Sequence, residues 1–357
     1  MKNNTDFIYL LRFIAAFLVV LKHYSPFRNT LIDNGGEAVS FFFLLSGFIL
    51  VVAYEKQINT NQLSAISFYV KRIARVYPLY ILALVLTLAH HFLIKSSFTH
   101  IPVKLPFELM MIQSWFYPGS MNYPAWSISC ELFFYLLFPF YIVKLKNTPL
   151  SILAFKALIV LIMAVSASYL IYNTPISFLR IDLKQGYLYE HPLFRLPVFF
   201  FGNLLGFMYI KNVFVSNKIR LFSFGVGCLC LYLWTLNPVQ LGLSLKQLGL
   251  LFIYAVLIIT LLQNQAFSIK YLSNKWFILL GDISYGVYLL QFPVSSFVFA
   301  FTNDFNPIIQ FALYLVVLLA LSYCVYQYFE KPLRTKIVAN FWKVGNFPKV
   351  LATVKKG

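Results

Sequence analysis

Residues 10–23 read LLRFIAAFLVVLKH, an apolar run with one arginine inside it and a histidine at its far end. A run of this kind reads as a helix that crosses a bilayer. An arginine within such a helix costs about 2.5–3.5 kcal/mol on insertion scales, so it marks a cavity, a ligand path or a partner charge. Arg12 and His23 are eleven residues apart. On an α-helix that spacing puts them within about 20° of one face, separated by about 16 Å of rise. Ala16 and Val19 lie between them with Ala15 beside, so the face reads as a shallow groove with a cation at one end and a titratable base at the other. The plainer alternative is that Arg12 snorkels to the nearer interface and His23 sits at the farther one.

Composition sets the class around this helix. The chain has 357 residues, 60% hydrophobic and only 11% charged, against about 25% charged in soluble domains. Apolar windows long enough to span occur near 7–22, 38–54, 77–94, 124–143, 150–171, 193–210, 219–236, 245–262, 278–300 and 307–328. The expected fold is therefore all-α, a polytopic membrane protein of about ten transmembrane helices. Twenty Lys and Arg residues fall on the side of the N-terminus and eight on the other. The positive-inside rule then makes both termini cytoplasmic. That asymmetry, with attraction to anionic membrane lipids, accounts for the net charge of +18 without nucleic acid. Residues 1–336 are expected to form one membrane domain, with a basic cytoplasmic tail at 337–357. Arg12 and the lack of a small-residue cleavage site argue against a cleaved signal peptide at the start. The four cysteines all lie in expected helices and read as packing residues, with no metal site.

The remaining polar residues of the spans fall into a few clusters. In SFYVKRIARVYPLY, residues 67–80, Lys71, Arg72 and Arg75 lead into the third span, and Pro78 is placed to open its helix. They suit a membrane anchor or, as clustered donors, a phosphate-bearing ligand. In YPAWSISCELFFYLLFP, residues 123–139, Ser127, Glu131 and Tyr135 recur every four residues as one polar stripe. Glu131 can serve chemistry or can simply neutralise Arg12 or Arg195. Ser46 and Gly47 sit inside EAVSFFFLLSGFIL, residues 37–50, where small residues most often mean close helix packing. The ninth span carries Asp282, Ser284, Tyr285, Tyr288 and Gln291, too much polarity for lipid contact.

Together these fragments resemble the integral-membrane acyltransferase family 3, whose members O-acylate bacterial surface carbohydrates. The resemblance runs in order through Arg12 and His23, SGF (46–48), KRIARVYPLY, the Trp126-Ser127-x-x-x-Glu131-x-x-Phe134-Tyr135 pattern, RLPVFFFG (195–202), ISYGVYLL and FEKPLR (329–334). Ser40, Val198 and Gln291 stand where many relatives carry an acid, a glutamate and a histidine. The resemblance implies a bacterial inner-membrane enzyme that uses an acyl-coenzyme A, most simply acetyl-CoA, and a carbohydrate or lipid-linked glycan acceptor. No soluble esterase-like domain follows the last span, so transfer is expected to finish in the membrane domain or on a partner.

Under this resemblance Lys71, Arg72 and Arg75 hold the donor's phosphates, and Arg12 guides its arm along the Ala16 and Val19 groove. His23 is the general base, since an unperturbed histidine titrates near neutral pH. Glu131 or Glu37 orients its ring. Ser46, Trp126, Ser127, Tyr135, Arg195, Ser284, Tyr285 and Gln291 complete the expected pocket. The rival class is a transporter or glycan flippase, but residues 1–175 and 176–357 show no matching pair of broken repeats.

Overall fold

Each of the ten apolar windows lies on a helix. The computed structural model describes residues 6–93, 101–174, 181–236, 245–272 and 274–344. The long helices are α1 (Phe7–Tyr24), α2 (Ala38–Ala53), α3 (Ala65–Leu93), α4 (Trp126–Leu145) and α5 (Leu150–Asn173), followed by α6 (Pro192–Ile210), α7 (Asn217–Leu236), α8 (Leu245–Gln263), α9 (Lys275–Phe301) and α10 (Pro307–Val325). Among the described residues, nine helical segments are long and apolar enough to cross a membrane. Helix α7, 20 residues long, covers the remaining window. No strand occurs among the described residues. The chain is an all-α, multi-pass membrane protein.

Two elements run beyond their expected bounds. Helix α3 begins at Ala65, well before the apolar window, and Pro78 lies inside it rather than opening it. Proline removes one backbone donor from a helix interior. The Tyr285 hydroxyl donates to the Val76 carbonyl at 2.9 Å, so a neighbouring helix supplies a polar contact beside the break. Lys71, Arg72 and Arg75 consequently stand on the membrane helix itself. At the other end of the chain, α10 passes through a π turn at Tyr326–Glu330 into α11 (Lys331–Val344). Helix α11 crosses residue 336 without interruption, and residues 345–357 of the basic tail lie outside the described residues.

The packing places α1, α2, α3, α4, α6 and α9 inside and leaves α5 and α10 largely facing outward. Helices α2 and α6 cross closely because each presents a glycine to the other's backbone. A Cβ on Gly47 would lie 2.2 Å from the Phe199 carbonyl oxygen, and one on Gly202 would lie 2.1 Å from that of Leu44. Small residues let helices approach where no hydrophobic force drives them together. Phe134 then wedges between them from α4, 4.8 Å from the Phe199 ring and 5.4 Å from Phe43. Helices α7 and α8 pair with each other at the periphery.

The segment from 101 to 125 is organised around buried carboxylates. Glu108 is fully buried, and it accepts from the Met121 amide at 2.7 Å and from the hydroxyls of Tyr80 and Tyr117 at 3.0 and 3.3 Å. Burial raises the Glu108 carboxyl above the usual carboxylate range, with those hydrogen bonds opposing the shift. Glu190, just ahead of α6, accepts from the Gly119 amide at 2.7 Å and ties the same segment to the bundle.

Candidate functional site

An open cavity lies between α1, α2, α3, α4 and α9, about 770 Å3 counting its mouth. Its polar wall consists of Arg12 from α1, Ser46 from α2, Arg72 and Arg75 from α3, Ser127, Glu131 and Tyr135 from α4, and Ser284, Tyr285 and Tyr288 from α9. Helical geometry and packing explain the selection. Arg72 and Arg75, three residues apart on α3, both reach the wall; Lys71, one turn before Arg75 and on its other side, is half-buried and not part of it, so the packing and not the spacing alone separates the three. On α4 the four-residue repeat of Ser127, Glu131 and Tyr135 delivers all three to one side. On α2 the pair divides its work: Gly47 meets α6, and Ser46 faces the cavity.

The cavity holds three guanidinium groups and one carboxylate. Glu131 accepts from the Tyr135 hydroxyl at 3.1 Å. It stands within electrostatic reach of Arg12, Arg72 and Arg75 but forms no salt bridge with them among the described residues. Arg72 donates to the Tyr54 hydroxyl at 3.3 Å and lies against the Tyr54 and Phe68 rings, while its buried Nε has no partner. The lining thus keeps a net positive charge within the membrane. Such an arrangement is costly unless an anion or an aqueous path meets it.

His23 is not part of the cavity wall. It is half-buried at the far end of α1, with its ring edge-on to Tyr123 at a centroid distance of 4.8 Å. Between it and the cavity stands a hydrogen-bonded roof. The Tyr288 hydroxyl lies 2.9 Å from both the Pro124 carbonyl and Ser127 Oγ, and Ser127 Oγ is 3.2 Å from that same carbonyl. Phe42 packs on the Tyr288 ring at 5.6 Å. Ala16 and Val19, expected to form a groove, are instead buried in the helix packing, because α9 and α2 close over that face of α1. The wall between Arg12 and the roof comes from α2, α4 and α9.

The other expected residues distribute as follows. Neither Glu131 nor Glu37 hydrogen-bonds His23; Glu37 pairs with Lys246 at 3.1 Å. Trp126 from α4 and Arg195 from α6 meet each other rather than line the cavity. Arg195 is fully buried, donates from Nε to the Tyr189 carbonyl at 2.6 Å, and stacks 4.1 Å over the Tyr189 ring and 5.9 Å from that of Trp126. Its two terminal nitrogens have no hydrogen-bond partner. Gln291 is buried toward α10, its carbonyl accepting from the Tyr314 hydroxyl at 3.3 Å.

Two residues outside the expected pocket bear on the site: Tyr288 lines its wall, and Glu330 lies within electrostatic reach of its arginines. Tyr288 belongs to the polar stripe of the ninth span, but only packing distinguishes it from Gln291 one turn later. Glu330 sits on the π turn, 4% exposed, within reach of Arg75, Arg334 and Arg12. The extra residue of a π turn re-aims the side chains that follow. The lone acid of FEKPLR, set among cations after the last span, was the signal for it.

Known proteins are similar to this chain over different lengths. A Streptomyces mycarofaciens protein named "Acyltransferase MdmB" is 34% identical over 126 residues, 32% of this chain and 30% of that protein. A Staphylococcus aureus (strain MRSA252) protein named "Putative O-acetyltransferase SAR0937" is 23% identical over 377 residues, 96% of this chain and 60% of that protein. The chain spans about six-tenths of the length of these S. aureus relatives. No solved structure matches it. The family model described as an acyltransferase domain matches residues 5–327, nearly the whole helical bundle. The chain belongs to the integral-membrane acyltransferase family 3.

Proposed function

We propose that this protein is a membrane-embedded O-acyltransferase that moves an acyl group, most simply acetyl, from an acyl-coenzyme A on the cytoplasmic side to a hydroxyl of a surface or lipid-linked carbohydrate. The observation that carries this reading is the net-positive cavity inside the membrane, where Arg12, Arg72 and Arg75 converge with one carboxylate. A polyanionic donor with a long, thin arm fits such a wall: phosphates meet the guanidinium groups, and the arm lies along α2 and α4. Lys71, one step around α3, adds charge at the mouth. The roof of Tyr288 and Ser127 is where the acyl end arrives, and the acceptor enters from the side of Tyr123.

In the transfer step the acceptor hydroxyl oxygen attacks the thioester carbonyl. Its proton passes to neutral His23, the carbon–sulfur bond breaks as the carbonyl re-forms, and the imidazolium of His23 returns the proton to the departing thiolate, which leaves as the free thiol. Glu131, held by Tyr135, balances the cations beneath the reacting end, and Glu37 with Lys246 braces the start of α2 near the acceptor side. Trp126 and Tyr189, fixed by Arg195, form the aromatic floor of that side. The family membership and the printed names of the relatives support an acyl transfer.

His23→Ala tests the assignment. A general base contributes about 10²–10⁴ in rate, whereas a residue at a helix end contributes little to packing. Mass spectrometry of the surface polysaccharide from cells expressing the variant should show the acyl mass lost while the protein remains inserted at normal levels. Undiminished acylation would remove His23 from the mechanism.

A further inference from the structure

Helix α11 packs on α3, the helix that supplies Arg72 and Arg75 to the cavity. It is reached from α10 through the π turn, and Tyr326, Glu330 and Arg334 recur every four residues across that junction, so they share one face. Tyr326 ties the face to α9 by donating to Asp282 at 2.7 Å. Glu330, 4% exposed, stands on it within reach of Arg75 and Arg12. Arg334 follows one turn later, about 6 Å further along the axis and away from the membrane-spanning part of the helix.

Arg334 differs from the other cations of α11. Lys331, Lys336 and Lys343 are exposed, whereas Arg334 is half-buried. Glu330 lies within its electrostatic reach, yet Arg334 forms no hydrogen bond and no ion pair with a described residue. Arg75, on the cavity wall, forms neither as well. Two guanidinium groups are thus uncommitted on either side of one buried acid. Their donors are open to an acceptor that arrives from the aqueous side.

We propose that Arg334 binds the 3′-phosphate of the donor's adenosine, and so selects coenzyme A over donors that carry the same pantetheine arm without that group. The inference rests on the acyl-coenzyme A reading above and extends it from the arm to the nucleotide. In coenzyme A one ribose separates the diphosphate on its 5′-oxygen from the phosphate monoester on its 3′-oxygen, a spacing comparable to one helical turn, about 5.4 Å. Arg72 and Arg75 take the diphosphate. Arg334, a turn beyond the acid that faces Arg75, takes the monoester, whose terminal oxygens match a planar guanidinium fork.

Calorimetric titration of the detergent-purified full chain with coenzyme A and with 3′-dephospho-coenzyme A reads the monoester alone. Coenzyme A should bind about tenfold tighter. Arg334→Gln should raise its Kd to that of the dephospho form and leave the latter unchanged. Arg334→Lys, which keeps the charge beside Glu330 but loses the fork, should retain only part of the preference. Arg75→Gln should weaken both ligands and preserve the ratio between them. Equal binding of the two ligands by the unmodified protein, or an equal loss of both in Arg334→Gln, would overturn the proposal and leave the acyl-coenzyme A reading standing. Binding of neither ligand would remove coenzyme A as the donor and this site with it. Should Arg334→Gln fail to fold, the ligand comparison on the unmodified protein and on Arg334→Lys still decides.

Discussion

At the scale of single residues, the buried charges carry most of the consequences. Arg72 and Arg75 share the cavity wall, and both bind the donor in the proposed reading. Replacing both with Gln removes interactions common to ground and transition states, so steady-state assays of the purified enzyme should show KM for the acyl donor rising by about tenfold or more with a smaller fall in kcat. Glu108 gives a pH dependence of its own. Burial raises its folded-state value, so the protonated carboxyl is the form the packed 101–125 segment prefers. That contribution to stability is fully present below the unfolded carboxylate value and is lost as pH rises through the elevated folded value. Hydrogen exchange across 101–125, corrected for intrinsic rates, should be slower at acidic than at alkaline pH. Glu108→Gln should flatten the difference while preserving acceptance from the Met121 amide.

Among elements, the α2–α6 crossing and the π turn position the site. Gly47 and Gly202 let α2 approach α6 so closely that Ser46, one residue earlier, is turned to the cavity. Gly47→Ala places a methyl against the Phe199 carbonyl and forces the helices apart, a change of about 1–3 kcal/mol by analogy with overpacked cores. Its melting temperature in detergent should fall below that of Ser46→Ala, which alters the cavity wall without touching the crossing. The long α3 matters in another way. Because it starts at Ala65 and carries Pro78 inside, its cations lie along the cavity instead of in a loop before the membrane. Apolar windows mark where the hydrocarbon begins, not where a helix begins, and that difference displaced the expected start.

For the whole molecule, orientation follows from charge. With twenty Lys and Arg residues on one side and eight on the other, a reporter fused after Gly357 should be active only in the cytoplasm, and one inserted beside exposed Phe116 only outside. The opposite pattern would reverse the proposed donor side. The ten helices were legible in the sequence because a membrane imposes one strong rule, about 20 apolar residues with internally satisfied backbone. The polar wall was legible too, since charges and polar stripes in spans are few and helical spacing assigns their faces: Arg12, Arg72, Ser127, Glu131 and Tyr135 all reached the cavity. Spacing within one helix says nothing about what other helices place against it. Only the packed bundle decided that α2 and α9 cover Ala16 and Val19, that Tyr288 roofs the cavity below His23, that Glu37 pairs with Lys246, and that Arg195 turns toward Tyr189. Those facts depend on contacts between residues far apart in the chain, set by side-chain volume and backbone approach.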